Sequence, residues 1–277
     1  MTDALLRRRD AKPLAGVVIL AGGLSTRMGA PKALLKLPCG DTLLQYHVRR
    51  ASQLGVPILI ADNGQGFATH IQAKHSIFDE HSVADTEGGN TEVSNTAGGI
   101  RHIADYQPCS RSLQAKANAK ANKKHSAGPL GAILAGMQQL LQDNQTDSRF
   151  ADINNHSDAG SQWMLVVSCD SLVNGVDIWQ YLTEKKAQSV SSSVDAVNED
   201  NAPPQMYCLA DNERDYPLLG LYQLSLVASL KTYLDSGERR VMRFIHPISQ
   251  SLPMPKAWYT RSNLNTPQQF QLACEQL

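Results

Sequence analysis

The stretch LAGGLSTRMGAPK, residues 20–32, carries the residue types that hold a polyphosphate. Gly22, Gly23 and Gly29 let the backbone turn tightly enough for its amides to point at an anion, and Arg27 and Lys32 can neutralise the charge. The segment has neither the GxxxxGK(S/T) of a P-loop nor the GxGxxG of a dinucleotide site, so kinases, GTPases and dehydrogenases lose support. A second candidate, Asp170, ends the apolar run WMLVVSCD (163–170). Ligands of open α/β sheets gather at strand carboxyl ends, so this carboxylate shares a side of the sheet with the glycine loop and can hold Mg²⁺ there. The eight histidines are scattered and neither HExxH nor GxSxG occurs, which argues against zinc hydrolysis and esterase chemistry. Phosphoryl or nucleotidyl transfer remains. The plainer alternatives are a glycine-rich turn with surface cations, and an aspartate that only caps the turn at Ser171.

The elements that must position these groups are visible in the apolar pattern. Residues 16–20, GVVIL, are β-branched and apolar and read as a buried parallel strand entering the loop. Asp41 or Thr42 can cap a helix with inward positions at Leu43, Leu44, His47, Val48, Ala51 and Leu54, closed by Gly55, and residues 57–61 form the next strand. Residues 128–142 have helical spacing, and the strand 163–170 follows. A helix over 225–235 and a last one opening at Thr266-Pro267-Gln268-Gln269, with a capping box, complete the chain. Two polar stretches, 86–127 and 143–161, read as surface insertions.

The chain of 277 residues is long enough for one large α/β domain, and 42% hydrophobic with 19% charged residues suits a folded protein with a real core. Lys plus Arg and Asp plus Glu both number 26, which removes the global attraction expected of a nucleic-acid binder. Five cysteines without CxxC spacing suggest a reducing compartment. The apolar run at residues 17–21 is too short for a signal or a membrane span, so a cytoplasmic protein without membrane or nucleic-acid partners is expected.

The segment LAGGLSTRMGAPKALLKL resembles the signature loop of the nucleotidyltransferases related to molybdenum cofactor guanylyltransferase, including the lysine at position 32. GPLGAILAGM (128–137), VVSCD (166–170), ERDYPLLGLY (213–222), GERRVMRFI (237–245) and NLNTP (263–267) extend the resemblance along most of the chain. GERRVM and NLNTP point to the guanylyl branch. Pro31 stands where that branch usually has Asp, and RMGAPK is common among cytidylyltransferase relatives. The usual prolines around the metal aspartate are missing from VSCDSLV, and Tyr216 replaces a frequent His.

The resemblance implies one Rossmann-like nucleotidyltransferase domain over 1–277 with a mainly parallel sheet, preceded within those bounds by a tail at 1–14. It implies transfer of GMP from GTP to molybdenum-bound molybdopterin, with Mg²⁺ as cofactor. The nucleotide would lie over Leu20, Ala21, Gly22 and Gly23, with Lys32 and Arg27 on phosphate oxygens and Asp170 on the metal. Asn63 would meet base or ribose, and Asp79 in SIFDE would read guanine, with Asp105 as the alternative. Arg239, Arg240, Asn263 and Asn265 would face molybdopterin. Expected partners are molybdenum-insertion proteins and acceptor molybdoenzymes or their chaperones. A cytidylyl enzyme and a non-catalytic delivery protein of the same fold stay open as alternatives.

Overall fold

β1 (Leu14–Leu20) is the buried strand that its β-branched sequence predicts, with Val17, Val18 and Ile19 fully enclosed. The computed structural model describes residues 14–23, 28–67, 99–108, 127–146, 162–192 and 203–277. Within them β1 pairs in parallel with β2 (Ile58–Ala61), and β2 with β3 (Ile100–Ile103). On its other side β1 pairs in parallel with a fourth strand, β4 (Trp163–Ser168). Two further strands, β5 (Met206–Ala210) and β6 (Asp215–Gln223), are antiparallel to each other, and β6 also runs against β4. The last strand, β7 (Ser249–Pro253), lies parallel to β5, giving one sheet in the order β3-β2-β1-β4-β6-β5-β7. Only β6 opposes the common direction, as expected of a mainly parallel sheet.

The helices are α1 (Leu43–Ala51), α2 (Gly128–Thr146), α3 (Gly175–Ser192), α4 (Val227–Asp235), α5 (Val241–Ile245) and α6 (Pro267–Cys274). Alternation along the strands divides the core between two faces. Val17, Ile19, Leu165 and Val167 pack with residues of α1, α3 and α6, whereas Val18, Met164 and Val166 pack with α2, α4 and α5. Both expected caps form: Thr42 and Thr266 each accept from a backbone N–H three residues on, and Gln45 and Gln269 return the bond. Such caps are worth about 1 kcal/mol each.

The stretch 86–127, expected as a surface insertion, contains β3, so residues 100–103 belong to the sheet. Its residues, Ile-Arg-His-Ile, lack the long apolar run of the central strands because β3 is an edge strand and only half-buried. The second stretch, 143–161, likewise begins inside α2, which continues to Thr146.

The order of the strands fixes where a ligand can sit. From β1 the chain builds outward through β2 to β3, then returns to the opposite side of β1 with β4. In an open α/β sheet the crevice at such a reversal, beyond the carboxyl ends of the strands, is the ligand site. Here the reversal lies between Leu20 and Ser168.

Candidate active site

Backbone hydrogen bonds draw three strand ends together. Ala21 N–H donates to Ala61 O at 2.8 Å, and Cys169 N–H donates to Leu20 O at 3.0 Å. Leu20, Ala21, Gly22 and Gly23 therefore lie between the turn after β2 and the turn that carries Asp170. Gly22 passes so close to the β2 turn that a Cβ would stand 2.9 Å from Asn63 Cβ and 3.2 Å from Asn63 N. Asn63 itself is exposed and holds a left-handed φ of 54°. Buried Asp62 stabilises this turn by accepting from Gly64 N–H at 3.0 Å and Phe67 N–H at 2.9 Å. Gly22→Ala is expected to push the glycine loop off Asn63, costing about 1–3 kcal/mol of stability and raising the KM for a phosphate-bearing substrate held there roughly 10-fold or more. Urea unfolding and initial-rate kinetics check both effects. Arg27 lies outside the described residues.

Lys32 opens a 3₁₀ turn, Lys32–Leu34, and is half-buried. Its Nζ donates to Asn265 Oδ1 at 2.9 Å. Burial lowers the pKa of this ammonium, and the charge of Asp170 pulls it partly back. Asp170 follows β4 by two residues, and its carbonyl accepts from Leu264 N–H at 2.6 Å. The NLNTP segment is thereby tied to the carboxylate turn, and Lys32, Asp170 and the pair Asn263 and Asn265 come together from three distant parts of the chain.

The same network reaches a residue that sequence reasoning passed over. With its amide oxygen turned toward the neighbouring donors, Asn263 accepts from Asn265 Nδ2 at 3.0 Å and from Arg214 Nη2 at 2.6 Å. Arg214 also donates from Nε to Tyr216 Oη at 3.1 Å and lies over the Tyr216 ring. A cleft of about 350 Å³ opens here, lined by Arg214, Tyr216, Tyr259, Thr260, Asn263 and Gln269. The signal for Arg214 was its place in ERDYPLLGLY, beside the Tyr216 that departs from the related sequences.

Asp105 lies just beyond β3, half-buried, where burial first and the charge of Asp62 second raise its pKa. Asp79 lies outside the described residues. Arg239 and Arg240 are placed differently from the asparagines. The Arg239 guanidinium donates to Leu234 O at 2.7 Å and Glu238 O at 2.6 Å, closing the C-terminal end of α4 as a cation there is favoured to do. Arg240 is exposed at the N-cap of α5.

Behind Asp170, α1 presents two neighbouring side chains to the same turn. His47 Nε2 lies 2.8 Å from Ser171 O, and Tyr46 Oη donates to Leu172 O at 3.3 Å. Burial pushes the His47 pKa down to about 4, against a smaller upward pull from the Ser171 bond. The folded protein therefore binds this proton less readily than the unfolded chain does. The stability that His47 contributes is full above its ordinary pKa of 6.5 and is lost as pH falls from 6.5 toward 4, by up to roughly 3 kcal/mol. Urea unfolding across that window is expected to show a shallower acid loss in His47→Gln than in the wild type.

No three His, Cys, Asp or Glu side chains cluster to hold a metal among the described residues. The site instead offers the carboxylate of Asp170 beside the glycine loop. That donor set suits Mg²⁺, which binds through one or two carboxylates and completes its shell with substrate phosphates and water.

A doubly wound sheet with a glycine loop, a lysine and a carboxylate at its reversal defines a nucleotide-binding α/β protein. The model of the MobA-like NTP transferase domain matches residues 17–251, and the chain belongs to that family. A molybdenum cofactor guanylyltransferase of Yersinia pestis (strain Pestoides F) is 24% identical over 253 residues, 90% of each chain. A protein of the same name from Serratia proteamaculans (strain 568) is 24% identical over 230 residues, 82% of this chain and 77% of its own. The crystal structure of molybdopterin-guanine dinucleotide biosynthesis protein A from Archaeoglobus fulgidus shares the fold, with a TM-score of 0.53 at 14% identity over 94% of this chain and 97% of that one. No helix among the described residues is long and apolar enough to cross a membrane.

Proposed function

We propose that this chain transfers GMP from GTP to molybdenum-bound molybdopterin, forming molybdopterin guanine dinucleotide and pyrophosphate. The observation that carries the reading is the meeting of Lys32, Asp170 and Asn265 at the reversal between β1 and β4. Family membership supports nucleotidyl transfer, and the guanylyltransferase relatives support the choice of nucleotide and acceptor. The proposed setting is the cytoplasm, with molybdenum-insertion proteins upstream and acceptor molybdoenzymes or their chaperones downstream.

In this reading Leu20, Ala21, Gly22 and Gly23 underlie the nucleotide, and Lys32 and Arg27 take phosphate oxygens. An oxygen of the molybdopterin phosphate attacks the α-phosphorus of GTP, the bond from that phosphorus to the bridging oxygen breaks, and pyrophosphate leaves. No covalent enzyme intermediate is needed, so the protein contributes positioning and charge. Asp170 would hold Mg²⁺, which when bound offsets the negative charge of the triphosphate and the departing pyrophosphate. Asn263 and Asn265 offer amides to the acceptor, and Arg214 supplies a cation on that side.

Guanine needs an acceptor for its ring N–H and amino group. A partly buried carboxylate is a strong discriminator, because the wrong base leaves it unpaired. Asp105, half-buried on the β3 side of the Asn63 turn, takes this role in the proposal. One observation favours a cytidylyl enzyme instead: Pro31, in the RMGAPK form common to those relatives. Pyrophosphate release from GTP or CTP, with Mg²⁺ and molybdenum-loaded molybdopterin, decides between them. Release with GTP alone is expected. Release with CTP alone would transfer the reading to the cytidylyl branch, and silence with both would leave a binding or delivery protein.

A further inference from the structure

We propose that His47 is a positioning residue for Asp170, fixing the Ser171 carbonyl and through it the direction of the neighbouring carboxylate. The inference rests on the assignment of Asp170 to the metal. A carbonyl oxygen can only accept, so Nε2 must carry the proton in the 2.8 Å contact with Ser171. A neutral imidazole has one N–H, which leaves Nδ1 as a lone pair, and it finds no partner among the described residues. The ring is 1% exposed, so that lone pair is desolvated without return. An apolar side chain would fill the same place in the core without this penalty, so packing does not account for a histidine here.

The turn that His47 grips is held from the other side as well. Arg261 O accepts from Leu172 N–H at 2.7 Å and from Ser171 Oγ at 3.0 Å, and Leu264 N–H holds the Asp170 carbonyl at 2.6 Å. Ser171 Oγ in turn accepts from Val173 N–H at 2.9 Å. His47 and Tyr46 supply the opposing contacts from α1, so the Ser171–Leu172 peptide, the second after Asp170, is clamped between a helix and the segment leading into NLNTP. Without the His47 N–H, that peptide loses the partner of its carbonyl and is held only from the Arg261 side, so the turn can tilt and carry the carboxylate off the phosphate loop. Groups that orient metal ligands from behind commonly change metal affinity by roughly 10–100-fold when removed.

The test is Mn²⁺ binding in the presence of GTP, followed by the EPR signal of the free ion, with thermal melting of each variant alongside. His47→Leu fills the space without an N–H, whereas His47→Gln can place its amide nitrogen near Nε2. The expected result is Mn²⁺ affinity weakened roughly 10–100-fold in the leucine variant and close to wild type in the glutamine variant. A role limited to packing would change the melting temperature and leave Mn²⁺ binding unmoved, and that result overturns the proposal. Should the leucine variant fail to fold, His47→Asn, whose amide nitrogen falls near Nδ1 instead, provides the same contrast with glutamine. Wild-type protein that binds no Mn²⁺ with GTP would overturn the metal role of Asp170 and this inference together. Wild-type binding matched by every His47 variant overturns the inference alone.

Discussion

Lys32→Ala is expected to slow pyrophosphate release at saturating substrates by about 10²-fold or more, about 3 kcal/mol of transition-state stabilisation. The reaction concentrates negative charge on the bridging oxygen and the departing phosphates, and Lys32 is the cation that the structure holds beside Asp170. Its bond to Asn265 and its half-buried position limit the directions in which the ammonium can point. Alanine leaves the phosphate charge to water, which must reorganise during the reaction. Because burial lowers the Lys32 pKa, its charge is lost at a lower pH than that of an ordinary lysine, and wild-type activity should decline correspondingly early on the alkaline side. Lys32→Arg, always charged, should retain part of the rate and lack that decline. An alanine variant within a few-fold of wild type would remove Lys32 from the chemistry.

Asp170→Asn keeps the shape of the side chain and removes its charge. A loss of about 10²-fold in rate is expected, with a rise in the Mg²⁺ concentration needed for half-maximal activity. The two residues also act on each other. Asp170 raises the Lys32 pKa against burial, so the asparagine variant should shift the alkaline decline to still lower pH. The Lys32→Ala, Asp170→Asn double variant should lose much less than the product of the single losses, as expected of two charges that act on each other in one proposed phosphate site. Full Mg²⁺-dependent activity in Asp170→Asn would end its assignment to the metal.

The parts of this fold that were legible in sequence are those whose local signals agree with their tertiary place. GVVIL is buried on both faces and reads as such, and Thr42 and Thr266 cap their helices as their spacing implies. Asp170 could be placed because the end of an apolar strand in an α/β sheet is a definite location. β3 escaped notice because an edge strand needs only one neighbour and a half-apolar face. Arg214 escaped because its partner, Asn263, is assembled only by the tertiary fold. For Arg239 the motif points to a substrate contact, and the fold adds what no motif states, that its guanidinium closes a helix end. His47 read as one more inward position of α1, and only the carbonyl opposite it distinguishes it from Leu44.

The hydrogen bond between Lys32 and Asn265 joins residues separated by 233 positions in the chain. Loop closure over such a span comes late, after the local βα units have formed. A chain growing from the ribosome could thus shape its glycine loop and even its carboxylate turn while the lysine still lacks this partner. Emergence of the NLNTP segment would add this hold on the ammonium, so reactivity would arrive well after the glycine loop itself had formed.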